Sequence, residues 1–214
     1  MLELLLTFVV FFNPFYQGNE ILLPKPEKFG KVSIEETLSK RRTIRNYSKE
    51  PIQLKELGQL LWAAQGITSD EGFRTAPSAG ALYPLEIFIV TGNVEELEDG
   101  IYRYNPSKHS IIKISSGDKR KQLADAALGQ EQIQTAAVNI IITAVLKRTT
   151  WKYGERGKRY VHIEVGHAAQ NVMLQAEALG IGVCPVGAFQ DEKVKKLLSL
   201  NEEEPLYILT VGKK

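Results

Sequence analysis

The sequence predicts a single α+β domain built on one layer of sheet with helices packed against it. The chain has 214 residues, of which 43% are apolar and 24% charged, a size and composition sufficient for one hydrophobic core and marginal for two. The continuous apolar run at residues 138–146 is typical of a strand buried on both faces. Helical and strand patterns follow one another without the regular βαβ order of a doubly wound fold.

The first expected elements are two helices. Ser33 and Glu36 form a capping box, which predicts a short helix that begins there and continues into the basic segment 41–47. Leucines at helical spacing after Pro51 predict a second, amphipathic helix that stops near Gly66.

The middle of the chain is expected to contain most of the strands. β-Branched and aromatic residues predict a strand at residues 86–91 and a hairpin of residues 100–104 and 110–114. Residues 118–129 are expected to be helical. The run at residues 138–146 should then form the central strand, because both of its faces need cover.

The last part of the chain predicts a long helix at residues 159–179 that Gly180 ends, then a short helix and a final strand at residues 206–211. Small residues on the long helix would let another element approach closely; they are Gly166, Ala168, Ala169, Ala176 and Ala178. Because no repeat or linker divides the chain, we expect one domain at residues 31–214 behind an apolar extension at residues 1–30.

Composition excludes several classes of protein. The chain has 27 Lys and Arg against 25 Asp and Glu, which provides no broad positive face for a nucleic acid. One cysteine, Cys184, excludes a disulfide framework and any multi-cysteine metal site, and we expect it to be a small buried side chain.

The apolar run at residues 1–12 is too short to span a bilayer, which needs about 20 such residues. No Lys or Arg precedes it and no clear cleavage site follows, so we expect a cytoplasmic rather than a secreted protein. Packing against another subunit is the favoured role. A misassigned start and a peripheral membrane contact through residues 1–18 stay open.

Four residues near the start of the chain are candidates for binding a phosphate: Arg41, Arg42, Thr43 and Arg45. If the first helix continues, Arg41 and Arg45 share a face, and the guanidinium groups and the threonine hydroxyl can converge on a dianion. The alternative is a solvated basic helix end that complements the helix dipole.

Two segments rich in small residues are candidate ligand loops. Residues 75–84 read TAPSAGALYP, and a glycine in such a run lets the backbone approach a flat ligand, although an ordinary surface connection has the same composition. Residues 180–189 contain glycines, but their spacing is not that of a dinucleotide fingerprint. The phosphate-loop motif of nucleotidases is also missing from the sequence.

Metal binding is not predicted. His162 and His167 are five residues apart and cannot share one metal on one helix face. Glu164 and His167 could, but two ligands do not make a site, and a buried hydrogen-bonded pair is the favoured interpretation.

Four motifs in this order resemble the FMN-dependent nitroreductase superfamily, closest to its SagB-type branch, which includes azoline dehydrogenases acting on ribosomally made peptides. The motifs are RRTIRNY, APSAGALYPLE, EVGHAAQNVMLQAEALGIG and CPVGAF, and the resemblance covers residues 33 to 214. It implies an α+β fold with a mostly antiparallel central sheet. It also implies a homodimer with the long helix at its core and FMN bound between the subunits.

The resemblance assigns cofactor-binding residues one by one. It places the FMN phosphate and ribityl chain at Arg41, Arg42, Thr43 and Arg45, the edge of the ring at Pro77, Ser78, Ala79 and Gly80, and the ring near N5 at Pro185, Val186 and Gly187. Gln130 is a looser match to a ring contact, and Lys213 or Lys214 to a phosphate contact.

Lys152 and Tyr153 resemble the Lys-Tyr pair with which azoline dehydrogenases abstract a proton. Oxidising a C–H bond next to a heteroatom needs a hydride acceptor and a base, and Lys or Tyr can be that base. The alternative is a loop lysine beside a packing tyrosine.

The expected function is therefore FMN-dependent, ping-pong hydride transfer between NADH or NADPH and a small acceptor. One alternative is dehydrogenation of a peptide azoline. Another, from a different class, is a flavin-binding protein without turnover.

Overall fold

The computed structural model describes residues 16–17 and 19–214 of the chain. Within them, eight strands form one sheet in the order β1-β2-β5-β4-β3-β6-β8-β7, and every ladder between neighbours is antiparallel. The strands are β1 (Tyr16–Gln17), β2 (Glu20–Leu22), β3 (Leu85–Thr91), β4 (Gly100–Asn105), β5 (Ser110–Ser116), β6 (Val138–Ala144), β7 (Ile181–Val186) and β8 (Glu204–Lys213). The predicted fold class is confirmed.

The described chain has seven α-helices. They are α1 (Ile34–Lys40), α2 (Leu54–Gln65), α3 (Arg120–Ala126), α4 (Glu131–Thr135), α5 (Lys147–Tyr153), α6 (Arg156–Ala178) and α7 (Asp191–Leu198). Of these, α1 and α5 pack against α6 and the others lie on the two faces of the sheet. Helices α2 and α6 share one apolar core with the sheet, and α3, α4 and α7 share a second core on the other face.

Strand β6 lies in the centre of the sheet, as predicted, between β3 and β8. Every residue of β6 is buried, because side chains alternate between the two cores. The same alternation is visible in β3, where Ile87 and Ile89 enter the core under α2 and α6 while Phe88 and Val90 enter the other. The two-sided cover explains the continuous apolar run in the sequence.

The first predicted helix ends earlier than expected. Helix α1 stops at Lys40, and Arg41 already has an extended conformation. The following residues run beside β7, where Thr43 forms a parallel bridge with Val183 and the Ile44 amide donates to the Val183 carbonyl at 3.0 Å. The expectation that Arg41 and Arg45 share a helix face is therefore wrong, because pairing with the sheet replaces the helix.

The helix predicted at residues 118–129 is also shorter. Helix α3 ends at Ala126, and Leu128 and Gly129 take positive φ angles of 61° and 73°. Such angles break an α-helix, and the chain then starts the short helix α4.

Helix α5 and strand β7 were not predicted from the sequence. Helix α5 contains residues of modest helix propensity, among them Thr149 and Thr150. Strand β7 contains Gly182 and Pro185, which are depleted in strands. As an edge strand of this sheet β7 tolerates a proline, and Cys184 within it is 1% exposed, the buried side chain that we expected.

Strands β1 and β2 lie in the segment expected to be an extension, and β2 pairs with β5. The expectations for residues 1–12 fall on a part of the chain outside the described residues. No helix within residues 16–17 and 19–214 is long and apolar enough to cross a membrane.

Candidate active site

Three arginines that follow α1 are the predicted phosphate ligands. Arg41 is half-buried, and Arg42 and Arg45 are exposed. The ion pairs of the described residues leave all three without a carboxylate partner. The Arg42 guanidinium donates to the carbonyl oxygens of Ser39 and Arg41 at 3.0 and 2.9 Å. Guanidinium groups with no acidic partner are suited to a phosphate.

This basic segment is fixed to the β7 edge of the sheet. Besides the bond between Ile44 and Val183, the Tyr47 hydroxyl donates to the Ile44 carbonyl at 2.8 Å and lies 2.5 Å from the Thr210 hydroxyl of β8. Burial raises the pKa of the Cys184 thiol above its usual value, and the nearby positive charge of Arg45 offsets part of this rise. Because Thr43 and Val183 pair in parallel, Arg45 runs beside the start of residues 185–187, whereas Arg41 and Arg42 lie beside the start of β7.

Gln130 joins the same neighbourhood. Its side-chain amide donates to the Ala188 carbonyl at 2.9 Å, directly after Gly187. Lys213 is close as well, because its carbonyl accepts from the Ser48 amide at 3.0 Å, but its ammonium group pairs with Glu56 at 2.6 Å. Lys214 pairs with Glu177 at 2.6 Å. We call the following residues the arginine group: Arg41, Arg42, Thr43, Arg45, Gln130, Pro185, Val186, Gly187 and Lys213.

The second predicted segment forms a tight turn. The Ser78 hydroxyl accepts from the Tyr83 amide at 2.9 Å. A 3₁₀ turn at Ala79–Ala81 follows, with Gly80 at a φ of +65°, which is the left-handed region that favours glycine. Pro77 and Gly80 are exposed, so a ligand can reach this backbone.

Lys152 and Tyr153 converge on that turn. A β-carbon built on Gly80 would lie 2.7 Å from the Tyr153 hydroxyl and 3.1 Å from the Lys152 ammonium group. The Tyr153 ring also packs edge-to-face against Tyr160 at 5.2 Å. We call residues 77–80 with Lys152 and Tyr153 the loop group, since α5 brings the two candidate catalytic side chains to the candidate ligand loop.

Glu164 belongs to this region and was not predicted as a site residue. It is 2% exposed on α6, and its Oε1 atom has no hydrogen-bond partner among the described residues. Burial raises the pKa of Glu164 to about 7, against the lowering effect of a hydrogen bond with Ser78 and of the Arg74 charge. In the sequence, Glu164 lies on the same helix face as the apolar residues Val161 and Val165. This spacing is the one signal that predicts its burial.

The expected buried pair of Glu164 with His167 does not form, because His167 is exposed. Groups of three or more potential metal ligands do not occur in the part of the chain that the structure describes.

The arginine group and the loop group lie beside different points along the length of α6. Tyr153 packs against Tyr160 near the start of α6, whereas Lys214, next to Lys213, pairs with Glu177 near the end of the helix. At 1.5 Å per residue these two points are about 25 Å apart along the helix axis. Hydrogen bonds and ion pairs within the described chain do not join the two groups.

Exposed apolar side chains lie near both groups. Ile34 and Leu38 on α1 are 59% and 56% exposed, and Ile163 on α6 is 50% exposed. Gly166 of α6 is exposed with open space around it. The alanines of α6 behave differently from our expectation, since three of them pack into the core of their own chain; these are Ala168, Ala169 and Ala176.

The residues present fit an elongated ligand with an anionic end and a flat end. The unpaired guanidinium groups suit the anionic end. Gly80 and Gly187 are exposed and carry no side chain, so a planar ring can lie against the backbone at either segment. FMN has this shape and charge.

The antiparallel α+β sheet thus has three unpaired arginines along its glycine-containing edge strand, and helix α5 brings a Lys-Tyr pair to the turn at residues 77–80. The chain belongs to the nitroreductase family, whose sequence profile matches residues 38–213. The expected resemblance and the expected class of enzyme are confirmed.

Individual relatives agree with this assignment. A candidate nitroreductase of Methanocaldococcus jannaschii is 47% identical over 195 residues, which cover 91% of this chain and 96% of the relative. The crystal structure of a candidate nitroreductase from Ralstonia eutropha superposes with a TM-score of 0.81 at 26% identity, covering 91% of this chain and 89% of that one.

Two more distant relatives have different described roles. The microcin B17-processing protein McbC of Escherichia coli is 25% identical over 65% of this chain and 54% of its own length. An FMN reductase (NADPH) of Bacillus subtilis is 28% identical over 49% of this chain and 48% of its own length. This chain thus spans about half the length of each of these two relatives.

Proposed function

We propose that this protein is an FMN-dependent oxidoreductase that transfers hydride by a ping-pong mechanism between NADH or NADPH and a small acceptor. The bond between Ile44 and Val183 is the observation that carries the proposal. It fixes three unpaired arginines along β7, at whose end residues 185–187 lie, so that an anion site adjoins a backbone segment open to a flat ring.

Each part of the arginine group has a distinct task. Arg41, Arg42 and Arg45 bind the phosphate, with the Thr43 hydroxyl beside them. Residues 185–187 offer backbone to the ring, and Gln130 holds this segment through Ala188. When bound, FMN supplies a hydride acceptor and donor at N5.

The separation of the two groups supports a pocket shared by two copies of the chain. Within one chain the loop group and the arginine group contact α6 at points about 25 Å apart along its axis. In a homodimer, the loop group of one protomer would complete the pocket at the arginine group of its partner. The exposed Ile34, Leu38 and Ile163 provide apolar surface for such an interface.

The test is a visible spectrum of the purified protein, followed by anaerobic addition of NADH or NADPH and a measurement of molar mass in solution. We expect a yellow dimer whose flavin band bleaches with at least one nicotinamide. A protein that stays colourless after incubation with excess FMN contradicts the proposal. A yellow protein that neither nicotinamide bleaches favours flavin binding without this turnover.

A second candidate function is dehydrogenation of a peptide thiazoline or oxazoline. The convergence of Lys152 and Tyr153 on Gly80 favours it, and the relative McbC is a microcin-processing protein. In this reaction the Lys152 or Tyr153 side chain would take a proton from the substrate ring, FMN would accept the hydride, and oxygen would reoxidise the flavin.

Variants separate the two functions. If the protein is an azoline dehydrogenase, Lys152→Ala and Tyr153→Phe abolish oxidation of a thiazoline peptide, while the matched variant Lys158→Ala, at an exposed lysine of α6, does not. Full peptide oxidation in both variants removes the catalytic role of the pair.

A further inference from the structure

The turn that carries the loop group has a costly backbone conformation. Gly80, Ala81 and Tyr83 have φ angles of +65°, +54° and +46°. A residue with a β-carbon adopts such left-handed angles only at a cost in free energy, and a bulky residue such as tyrosine is rare there. Conformations of this kind persist where surrounding contacts hold them, and they cluster at ligand sites. The contacts that hold Tyr83 are therefore of interest.

Side chains bind both polar backbone groups of Tyr83. Its amide donates to the Ser78 hydroxyl at 2.9 Å, and its carbonyl accepts from the Arg148 guanidinium at 3.3 Å. Arg148 belongs to α5 and also pairs with Glu86 of β3 at 2.7 Å. The backbone of Tyr83 is thus tied across the turn and to the helix that carries the two candidate catalytic side chains.

Arg74 holds the side chain of Tyr83. The Arg74 guanidinium lies 4.5 Å from the centre of the Tyr83 ring, which is within the range of a cation–π contact. The Tyr83 hydroxyl accepts from the backbone amide of Arg74 at 3.3 Å. Both the side chain and the backbone of Arg74 therefore contact this tyrosine.

Helices of the core in turn anchor Arg74. Its guanidinium donates to the side-chain carbonyl of Gln65, a residue 1% exposed at the end of α2, at 2.8 Å. The next residue, Thr75, donates from its amide to the Gly66 carbonyl at 2.9 Å, and its carbonyl accepts from the Asn171 side chain of α6 at 3.1 Å. These bonds give the contact with the tyrosine a fixed base.

We propose that Arg74 and Tyr83 are positioning residues for flavin binding: their stacked side chains hold the left-handed turn that presents residues 77–80 before the flavin ring arrives. Because the turn is already ordered, binding loses less conformational entropy than it would with a loose turn. This inference rests on the proposed function, since the turn must contact the FMN ring for the affinity to change.

The first test needs no ligand. Amide hydrogen exchange in the flavin-free full-length protein measures how often the turn opens. We expect Tyr83→Leu, which removes the aromatic ring, and Arg74→Ala, which removes the guanidinium, to speed exchange within residues 78–83 about tenfold or more. Exchange in the central strand β6 should stay as it is in the wild type.

The second test measures Kd for FMN and for riboflavin by fluorescence quenching. Since the turn contacts the ring that both ligands share, Tyr83→Leu and Arg74→Ala should raise both Kd values about tenfold. The conservative variant Tyr83→Phe keeps a ring under the guanidinium and loses only the contact of the hydroxyl, so it should change Kd less than about threefold. When Arg74→Ala and Tyr83→Leu are combined, their effects should not add.

Tyr102→Leu is the matched control. It also removes a buried tyrosine ring, but the Tyr102 hydroxyl donates to the Glu98 carbonyl at 2.7 Å. That carbonyl also accepts from the hydroxyl of Thr91, which ends β3 on the side away from the turn. Tyr102→Leu should therefore lower stability without changing exchange in the turn or either Kd.

The outcomes separate the inference from the proposed function. Unchanged exchange in the turn, or an unchanged Kd for FMN, in both Tyr83→Leu and Arg74→Ala overturns the inference. A rise in Kd for FMN alone also overturns it, because the effect would then act on the phosphate and not on the ring. Wild-type protein that binds no FMN instead contradicts the proposed function.

Discussion

The Tyr153 hydroxyl lies 2.7 Å from the point that a β-carbon on Gly80 would occupy. The two residues come from elements far apart in the sequence, the candidate ligand loop and helix α5. Their approach explains why the loop carries a glycine at a φ of +65°, since both the backbone conformation and the tyrosine exclude a larger residue.

Gly80→Ala should be more destabilising than its backbone conformation alone accounts for. We expect a loss of about 2 kcal/mol in the free energy of unfolding, against about 1 kcal/mol for Gly72→Ala, which has a φ of +82° but no atom within 4 Å. Urea denaturation measures both. Adding Tyr153→Phe to Gly80→Ala should restore part of the lost free energy of unfolding. A double variant no more stable than Gly80→Ala contradicts the proposed contact.

Arg45→Ala should weaken FMN binding through the phosphate alone. Loss of one guanidinium contact to a dianion is expected to raise Kd about tenfold or more. Riboflavin, which lacks the phosphate, should bind the variant and the wild type equally. Lys121→Ala, at an exposed lysine of α3, is the matched loss of charge and should leave both affinities unchanged. Equal losses for FMN and riboflavin would place the phosphate elsewhere.

Tyr47→Phe should reduce stability and FMN affinity together. The Tyr47 hydroxyl bonds to Ile44 and Thr210, which holds the arginine segment against β8. Removing a buried hydrogen bond costs about 1–2 kcal/mol of the free energy of unfolding. Tyr104→Phe removes a hydroxyl that bonds to His109 at 2.9 Å, away from the arginine group, and should lower stability without changing FMN affinity. An effect of Tyr47→Phe on stability alone would show that the arginines do not need this anchor.

Glu164 should make the flavin-free protein less stable as pH rises. Burial raises the pKa of Glu164 from 4.5 to about 7, so the folded state binds its proton more tightly than the unfolded state. The stabilisation is complete below about pH 4.5 and is lost as pH rises through about 7. Relative to the wild type, Glu164→Gln should therefore gain about 2 kcal/mol between about pH 5 and pH 8.

Chemical denaturation at several pH values measures this gain. Glu155→Gln serves as the control at an exposed carboxyl group. A difference between Glu164→Gln and the wild type that stays constant with pH contradicts a titration of Glu164 in this range.

Sequence patterns predict the elements whose packing is regular. The leucine spacing of α2 and the apolar run of β6 predict which faces are buried, and both elements are found where they were expected. The antiparallel hairpin of β4 and β5 is confirmed for the same reason.

The features that the sequence patterns did not predict depend on tertiary contacts. Helix α1 ends at Lys40 because Thr43 and Ile44 pair with Val183, a partner about 140 residues away that no local pattern reveals. Strand β7 is held by β8 in spite of its glycine and proline.

In the candidate site, too, some features are predicted by local sequence patterns and others depend on tertiary contacts. The order of motifs indicates which residues belong to it, but the contact of Tyr153 with Gly80 depends on helix α5, which was not predicted. The burial of Glu164 depends on how the turn packs over α6.

The distance between the two groups on α6 has a consequence for how the protein keeps its coenzyme. If each pocket takes one group from each copy, separating the copies opens both pockets at the same time. Dilution should then release flavin in step with dissociation, and added flavin should draw the copies back together by mass action. The yellow colour of protein-bound flavin would then show what fraction of the protein is dimeric.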